Sequence, residues 1–282
     1  MTAADRATAR TPRLVTVMRR SATNLTVWIP ALFRSARRPF PGLWPPTSRL
    51  ALGTAATIAA VAVAMLFLDP LVVHARSLPL WLILTFDALT DFGRAGWVLI
   101  PTGGLLFAVA VVASPSLGRT SYLVLTSLAV RLGFVFLAVG IPSLVVTVVK
   151  RLIGRARPLR IEGSDIYFAP FGWRNDYASL PSGHSTTAFA VAVALGALFP
   201  RLRVALWIYA GIIAVSRVIL TAHYPSDVIA GAVVGACGAL LVRAWFASRR
   251  LGFVLAPDGG VRPLPGPSLQ RIKKVAGRLA SQ

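Results

Sequence analysis

The sequence predicts an all-α fold, a polytopic membrane helical bundle of about six transmembrane helices with a surface helix between the first two. Three observations lead there. The chain of 282 residues is 56% hydrophobic and only 14% charged, far less charged than the surface of a soluble domain requires. Apolar segments of about 18 to 25 residues, each long enough as a helix to cross a hydrocarbon layer, recur along most of the chain. Basic residues gather at the two ends, nine before Leu50 and eight from Arg243 onward, as in cytoplasmic flanks of membrane proteins.

Residues 1–49 read as a basic cytoplasmic tail. They hold Arg6, Arg10, Arg13, Arg19 and Arg20 with one acid, Asp5, and a proline group at Pro39, Pro41, Pro45 and Pro46. Leu25 to Phe33 is too short for a span and lacks a small-residue cleavage site, which argues against a secretory signal peptide. An organellar transit peptide is the lesser alternative, and Trp28 marks a candidate interfacial helix.

The first span covers about Leu50 to Leu68 and stops at Asp69-Pro70, a polar residue followed by a helix breaker. Leu78 to Phe92 mixes Trp81, Leu82, Leu84 and Phe86 with Asp87 and Asp91, the pattern of a surface helix. The second span is about Trp97 to Ala113. The third ends at Val149, and Leu132 to Val149 alone can cross, leaving Arg131 to snorkel at the inner boundary. Lys150 to Gly183 is the longest polar segment between spans. The fourth span is about Ser185 to Phe199, the fifth Val204 to Leu220, and the sixth runs from Pro225 to Val242. Gly231 and Gly235, four apart in the sixth, point to close helix packing inside the molecule. These limits define a membrane-embedded domain at 50–245, and the Pro- and Gly-rich residues 246–282 read as a basic, partly disordered cytoplasmic tail.

A formal charge of +21 would suggest nucleic acid in a soluble protein. Beside membrane spans, anionic lipid headgroups are the expected partner and nucleic acid is excluded. The single cysteine, Cys237, lies in an apolar run and reads as a small packing residue. With both tails inside, segments 69–96, 150–184 and 217–227 share the outer face, and they carry nine basic residues that the positive-inside bias does not explain.

Three of the nine, Lys150, Arg157 and Arg217, belong to polar clusters at those outer span ends. Lys150 is followed after six residues by Arg157-Pro158. Pro181-Ser182-Gly183-His184 comes next. Ser216-Arg217 is followed after five residues by His223 and after three more by Asp227. Each cluster alone has a bland reading: a helix-capping turn, headgroup anchors at a span end, or a structural His–Asp contact. Together and in this order they resemble the three-part signature of the type 2 phosphatidic acid phosphatase superfamily, which includes membrane lipid phosphate phosphatases and is related to the vanadate-dependent haloperoxidases. The signature itself spans Lys150 to Asp227 and the resemblance extends over about residues 50 to 245, leaving the tails uncovered.

The chemistry of these residues agrees. A phosphoryl group in its transition state spreads negative charge over its equatorial oxygens. Lys150, Arg157 and Arg217 supply cations for them, and Ser182 and Gly183 offer a hydroxyl and the unpaired N–H groups of a helix start. Asp227, four positions after His223, is placed to fix its tautomer, leaving the other ring nitrogen free to attack phosphorus. His184 is then the acid for the leaving oxygen and later the base for water. The resemblance implies the same roles, with His223 as the nucleophile that becomes phosphohistidine.

The remaining polar residues carry less. His74 reads as solvated. Glu162, Asp165 and Asp176 invite a metal-site reading, but no histidine lies near them in sequence, so no metal and no cofactor are expected. Arg151, Arg155, Arg160 and Arg174 either attract a headgroup or shape their loop, and Tyr167, Phe168, Phe171 and Trp173 are candidate interface anchors.

The expected function is therefore a lipid phosphate or diphosphate phosphatase in a bacterial inner membrane, with an external active site and internal termini. Similar proteins act on phosphatidic acid, phosphatidylglycerol phosphate, polyprenyl diphosphate or lipid A. A lipid phosphotransferase using the same intermediate and a non-catalytic phospholipid-binding or transport protein are the alternatives. The sequence assigns no oligomeric state.

Overall fold

The structure, a computed structural model, describes residues 3–33, 47–113, 117–158, 168–256 and 260–280. Helices dominate it: α1 (Ala3–Phe33), α2 (Thr47–Phe67), α3 (Leu80–Thr90), α4 (Gly96–Val112), α5 (Arg119–Ile153), α6 (Gly183–Leu198), α7 (Arg203–Ile219), α8 (Pro225–Ser248) and α9 (Leu269–Ala280). Two short strands, β1 (Phe253–Leu255) and β2 (Val261–Pro263), pair antiparallel between α8 and α9. Among the described residues five helical stretches are long and apolar enough to cross a membrane: Thr47–Phe67, Leu80–Val112, Arg119–Ile153, Pro200–Ile219 and Pro225–Ser248. The 16-residue α6 is apolar but shorter. The chain is a multi-pass membrane protein, and the large side chains that α2 leaves exposed, such as Leu52, Ile58 and Leu66, suit contact with lipid tails.

The chain divides into two compact units. One comprises Pro41–Leu99 and Val135–Ala244. Within it α6 and α7 pack along each other around Ala188, Ala192, Ala210 and Ile213, small side chains that allow close approach. α3 lies against α7. The spacing of Gly231 and Gly235 predicts tight internal packing, and that is what they make: an added Cβ would fall 2.4 Å from the Ser182 carbonyl oxygen and 2.1 Å from that of Thr186. α8 therefore holds the first turn of α6 backbone to backbone.

The other unit comprises Met1–Phe40, Ile100–Phe134 and Trp245–Gln282. Here both tail segments contain regular structure. The N-terminal segment is a 31-residue helix, and Asn24 on it donates two 2.7 Å hydrogen bonds to the Ala110 and Ala113 carbonyls, groups the end of α4 leaves unpaired. Trp28 packs beside Ala113, Val124, Leu125 and Val275, so the apolar faces of α1 and α9 share one core.

The C-terminal residues read as partly disordered form the hairpin and α9. Phe253 is buried with its ring 4.6 Å from Phe134, and Phe246 meets Phe134 at 5.4 Å; such edge contacts are each worth about 0.5–1.5 kcal/mol beyond burial. Arg131, expected to snorkel, instead donates to the Ser127 carbonyl at 2.9 Å and, at 2.9 Å, to the Leu264 carbonyl just after β2. Cys237 is exposed, not packed in a core as its apolar neighbours suggest, which places its side chain on the outside of α8.

Candidate active site

Each motif residue owes its position to a local feature. α5 ends at Gly154, whose positive φ of 63° forms a turn that only glycine fits, because a Cβ there would lie 1.8 Å from the Ala169 carbonyl oxygen. Lys150 sits in the last turn of α5, and its carbonyl accepts the Gly154 N–H at 3.0 Å. Beyond the turn the chain is extended, with Arg155 bridged to Phe168, and alternate residues point opposite ways. Arg155 goes inward, only 1% exposed. Arg157 remains more accessible, its Nε donating to the Asn175 carbonyl at 3.1 Å and its backbone N–H to Asp176 at 2.8 Å. Its charge and that of Lys150 act on each other.

The Pro181 to His184 motif starts α6. Ser182 is the residue before the first helical turn, fully buried, and its N–H donates to the Asp227 backbone carbonyl at 2.9 Å. Gly183 has open space on its side-chain face, with nothing within 4 Å of an added Cβ. The N–H groups of a first helical turn have no intrahelical acceptor, so this open face is suited to an anion.

His184 stands in that turn with Gly93 against it; a Cβ on Gly93 would lie 3.0 Å from its ring. Arg217, His223, Arg94 and Arg157 all lie within electrostatic reach of His184.

The third cluster folds onto itself. α7 ends at Ile219, and the N–H groups of Ala222 and His223 both return to the Arg217 carbonyl, at 3.0 and 3.2 Å. That turn, with Thr221 at a φ of 49°, sets His223 beside Arg217. His223 is 3% exposed and its Nδ1 lies 3.7 Å from Asp227 Oδ2, an ion-pair separation longer than a hydrogen bond. Burial pushes the imidazole below the ordinary histidine range, and the upward pull of Asp227 does not offset it. A neutral, buried imidazole beside fixed cations has the form a nucleophile needs.

Several residues at this site escape a motif reading. Arg155, read from sequence as a headgroup attractor or loop former, donates through one terminal nitrogen to Asp227 Oδ1 at 2.7 Å and through the other to Asp69 Oδ2 at 2.7 Å. Burial alone would lower its pKa, yet Asp227 and Asp69 raise it, so the guanidinium stays charged. Asp69, read as the polar stop of the first span, is 5% exposed. Ser179 donates to Asp227 Oδ2 at 2.5 Å. Thr90, at the end of α3, accepts from Arg217 at 2.7 Å. One signal was available for Asp69: with 9 acids against 30 bases, an acid at an outer span end is a natural partner for a buried cation.

The other expectations resolve separately. Arg151 shapes its loop, donating to the carbonyls of Trp173 and Arg174 and at 2.8 Å to Asn175 Oδ1. Phe171 and Trp173 on that loop are 70% and 82% exposed, which leaves them available to a membrane interface. His74 is exposed. Among the described residues no group of three or more His, Cys, Asp or Glu side chains is arranged to hold a metal ion. Arg160, Glu162, Asp165 and Tyr167 lie outside the described residues.

Comparison with known proteins identifies relatives of this chain. The profile of the PAP2 superfamily matches residues 130–251. A lipid A 1-phosphatase of Rhizobium johnstonii is 40% identical over 183 residues, covering 61% of this chain and 71% of its own. One from Rhizobium etli is 39% identical over 213 residues, covering 72% of this chain and 88% of its own. The crystal structure of Aquifex aeolicus LpxE aligns with a TM-score of 0.42 at 21% identity, covering 59% of this chain and 88% of that one. With its membrane helices, its three clusters and relatives matched over most of their length, the chain belongs to the PAP2 superfamily.

Proposed function

We propose that this membrane lipid phosphatase removes the 1-phosphate of lipid A, working at the outer face of a bacterial inner membrane with both termini inside. The observation that carries the substrate is the match to two lipid A 1-phosphatases over 71% and 88% of their lengths. Family membership and the clustered histidines support hydrolysis over simple binding.

In the proposed reaction the free ring nitrogen of His223, Nε2, attacks phosphorus. The N–P bond forms as the P–O bond to the lipid breaks, and His184 gives its proton to the departing oxygen. Water, deprotonated by His184, then attacks the phosphohistidine and releases inorganic phosphate. Lys150, Arg157 and Arg217, with the N–H groups of Gly183 and its neighbours at the start of α6, hold the equatorial oxygens throughout. Asp227, 3.7 Å from His223 Nδ1, favours the tautomer that carries its proton on that nitrogen through its negative charge. Because these cations do the electrostatic work, the reaction needs no metal ion.

Purified protein incubated with lipid A tests the reading. Loss of the 1-phosphate by mass spectrometry, with matching phosphate release that survives exhaustive chelation, is the expected result. Release from phosphatidic acid but not lipid A overturns the substrate. Transfer to a second lipid in place of water makes the chain a phosphotransferase, and binding without release makes it non-catalytic.

A further inference from the structure

We propose that Asp69 and Arg155 are positioning residues for this reaction: their buried ion pair fixes Asp227 behind His223 and sets how much negative charge the imidazole feels. The proposal rests on His223 being the nucleophile. It concerns two residues outside the three motif clusters.

The geometry is a closed relay. Asp69 Oδ2 accepts from Arg155 at 2.7 Å and from Ser226 Oγ at 2.5 Å, and its Oδ1 accepts the Ser226 N–H at 3.0 Å. Arg155 donates to Ser226 Oγ and to Asp227 Oδ1, both at 2.7 Å, and its guanidinium carbon lies 4.2 Å from the centre of the Tyr224 ring. Asp227 completes its set on Oδ2 with Ser179 at 2.5 Å and the Tyr224 N–H at 2.9 Å. Asp69, Arg155, Ser226 and Asp227 are at most 5% exposed. Both Asp227 oxygens are thus anchored by groups other than the imidazole, whereas His223 Nδ1 is buried without a hydrogen bond and faces Oδ2 at 3.7 Å. The carboxylate cannot turn toward the imidazole without breaking its anchors. Arg155 holds it, and Asp69 holds Arg155.

Charge follows the same order. Asp227 alone would draw a proton onto His223 and remove the nucleophile. Arg155 in direct contact withdraws part of that negative charge, and Asp69 on the far side of Arg155 returns some of it. Among the described residues, the charged or titratable groups that act on His223 besides Asp227 are Arg157 after α5, Arg217 on α7 and His184 on α6. Two substitutions should therefore move the protonation of His223 in opposite directions. Asp69→Asn removes negative charge and lowers it. Asp69→Asn with Arg155→Gln removes the pair, leaves Asp227 unopposed and raises it. The single change keeps the Arg155–Asp227 pair, whereas the double change leaves the buried Asp227 carboxylate without its cation, so the single variant folds even where the double variant does not.

The experiment records kcat/KM against pH on a lipid monophosphate, with radiolabelled phosphate trapped on the enzyme. Only three histidines are present, so 13C-labelled imidazoles can be followed in the same samples. The expected result is a roughly 10- to 100-fold loss of kcat in both variants with KM little changed. The acid limb and the His223 resonance shift to lower pH in Asp69→Asn and to higher pH in the double variant. If the double variant does not accumulate, the shift to lower pH in Asp69→Asn decides alone. An acid limb that stays in place, or shifts in the same direction in both, overturns the proposal. A wild-type enzyme that is never labelled on His223 instead overturns the nucleophile assignment.

Discussion

Arg217, proposed to bind phosphate, donates a 2.7 Å hydrogen bond to Thr90 Oγ1, a side chain 127 residues earlier at the end of α3. The same hydroxyl accepts from Ser216 at 2.9 Å, so one threonine holds both leading residues of the third cluster. Arg217 is 8% exposed and its Nε is buried without a hydrogen-bond partner, so losing the Thr90 contact leaves a second buried donor unsatisfied. Thr90→Val keeps the shape and deletes the acceptor. It should lower kcat/KM about tenfold, corresponding to ~1.4 kcal/mol, with most of the loss in vanadate and phosphate affinity. Thr90→Ser should restore it. Steady-state kinetics and vanadate inhibition on the three proteins check this, and a fully active Thr90→Val would remove α3 from the site.

The close approach of α8 to α6 gives a second prediction. Gly231→Ala would place a Cβ 2.4 Å from the Ser182 carbonyl and push back the loop that carries Ser182 and His184. Overpacking of this kind costs about 1–3 kcal/mol, and here it also displaces the helix start proposed to bind phosphate. Gly231→Ala should lower both the unfolding temperature in detergent and kcat. Gly211→Ala, where an added Cβ meets nothing within 4 Å, should change neither.

How far the sequence reaches is visible in these two contacts. The residues proposed to perform chemistry were legible because phosphoryl transfer demands particular side chains at short spacings: Lys150 with Arg157, Ser182 with His184, and Arg217 with His223 and Asp227. Gly231 and Gly235 were legible for a similar reason, since a four-residue repeat of the smallest residue has few other uses in a span. Asp69, Thr90 and Arg155 were not, because each is defined by a partner 70 or more residues away: Arg155 to Asp69, Arg155 to Asp227, Arg217 to Thr90. The C-terminal segment failed in the same way. Its prolines and glycines signalled disorder, whereas the contact of Phe253 with Phe134 is a tertiary fact that composition does not contain.

With His223 as the proposed nucleophile, its depressed protonation should set the acid limb of the rate. His223 attacks only when neutral, so kcat/KM should fall as pH drops through its pKa. Burial holds that pKa below the ordinary value of about 6.5, and activity should persist to lower pH than an exposed histidine would allow. Asp227 raises the pKa, so Asp227→Asn should move the limb lower still while cutting kcat by up to about 10⁴-fold through loss of tautomer control. A pH profile with its acid limb at or above the ordinary histidine value would contradict the buried neutral imidazole.

The two histidines should separate by leaving group. As the proposed nucleophile, His223 should be required for every substrate, since without it no phosphoenzyme would form. His184 is proposed to act on the departing oxygen, so its importance should depend on how badly that oxygen needs a proton. A lipid monophosphate expels an alkoxide, a poor leaving group that must be protonated as the bond breaks, whereas a lipid diphosphate expels a phosphate that carries its own charge well. His184→Ala should therefore lose proportionally more phosphoenzyme formation on a monophosphate than on a diphosphate with the same lipid chain. Single-turnover labelling is the proper measurement, because His184 also activates water in the second step and steady-state rates would blend the two effects. Equal losses in that first step would move the proton donor elsewhere, to a group such as Lys150, and a His223→Ala protein that still accepts label would remove the nucleophile from His223.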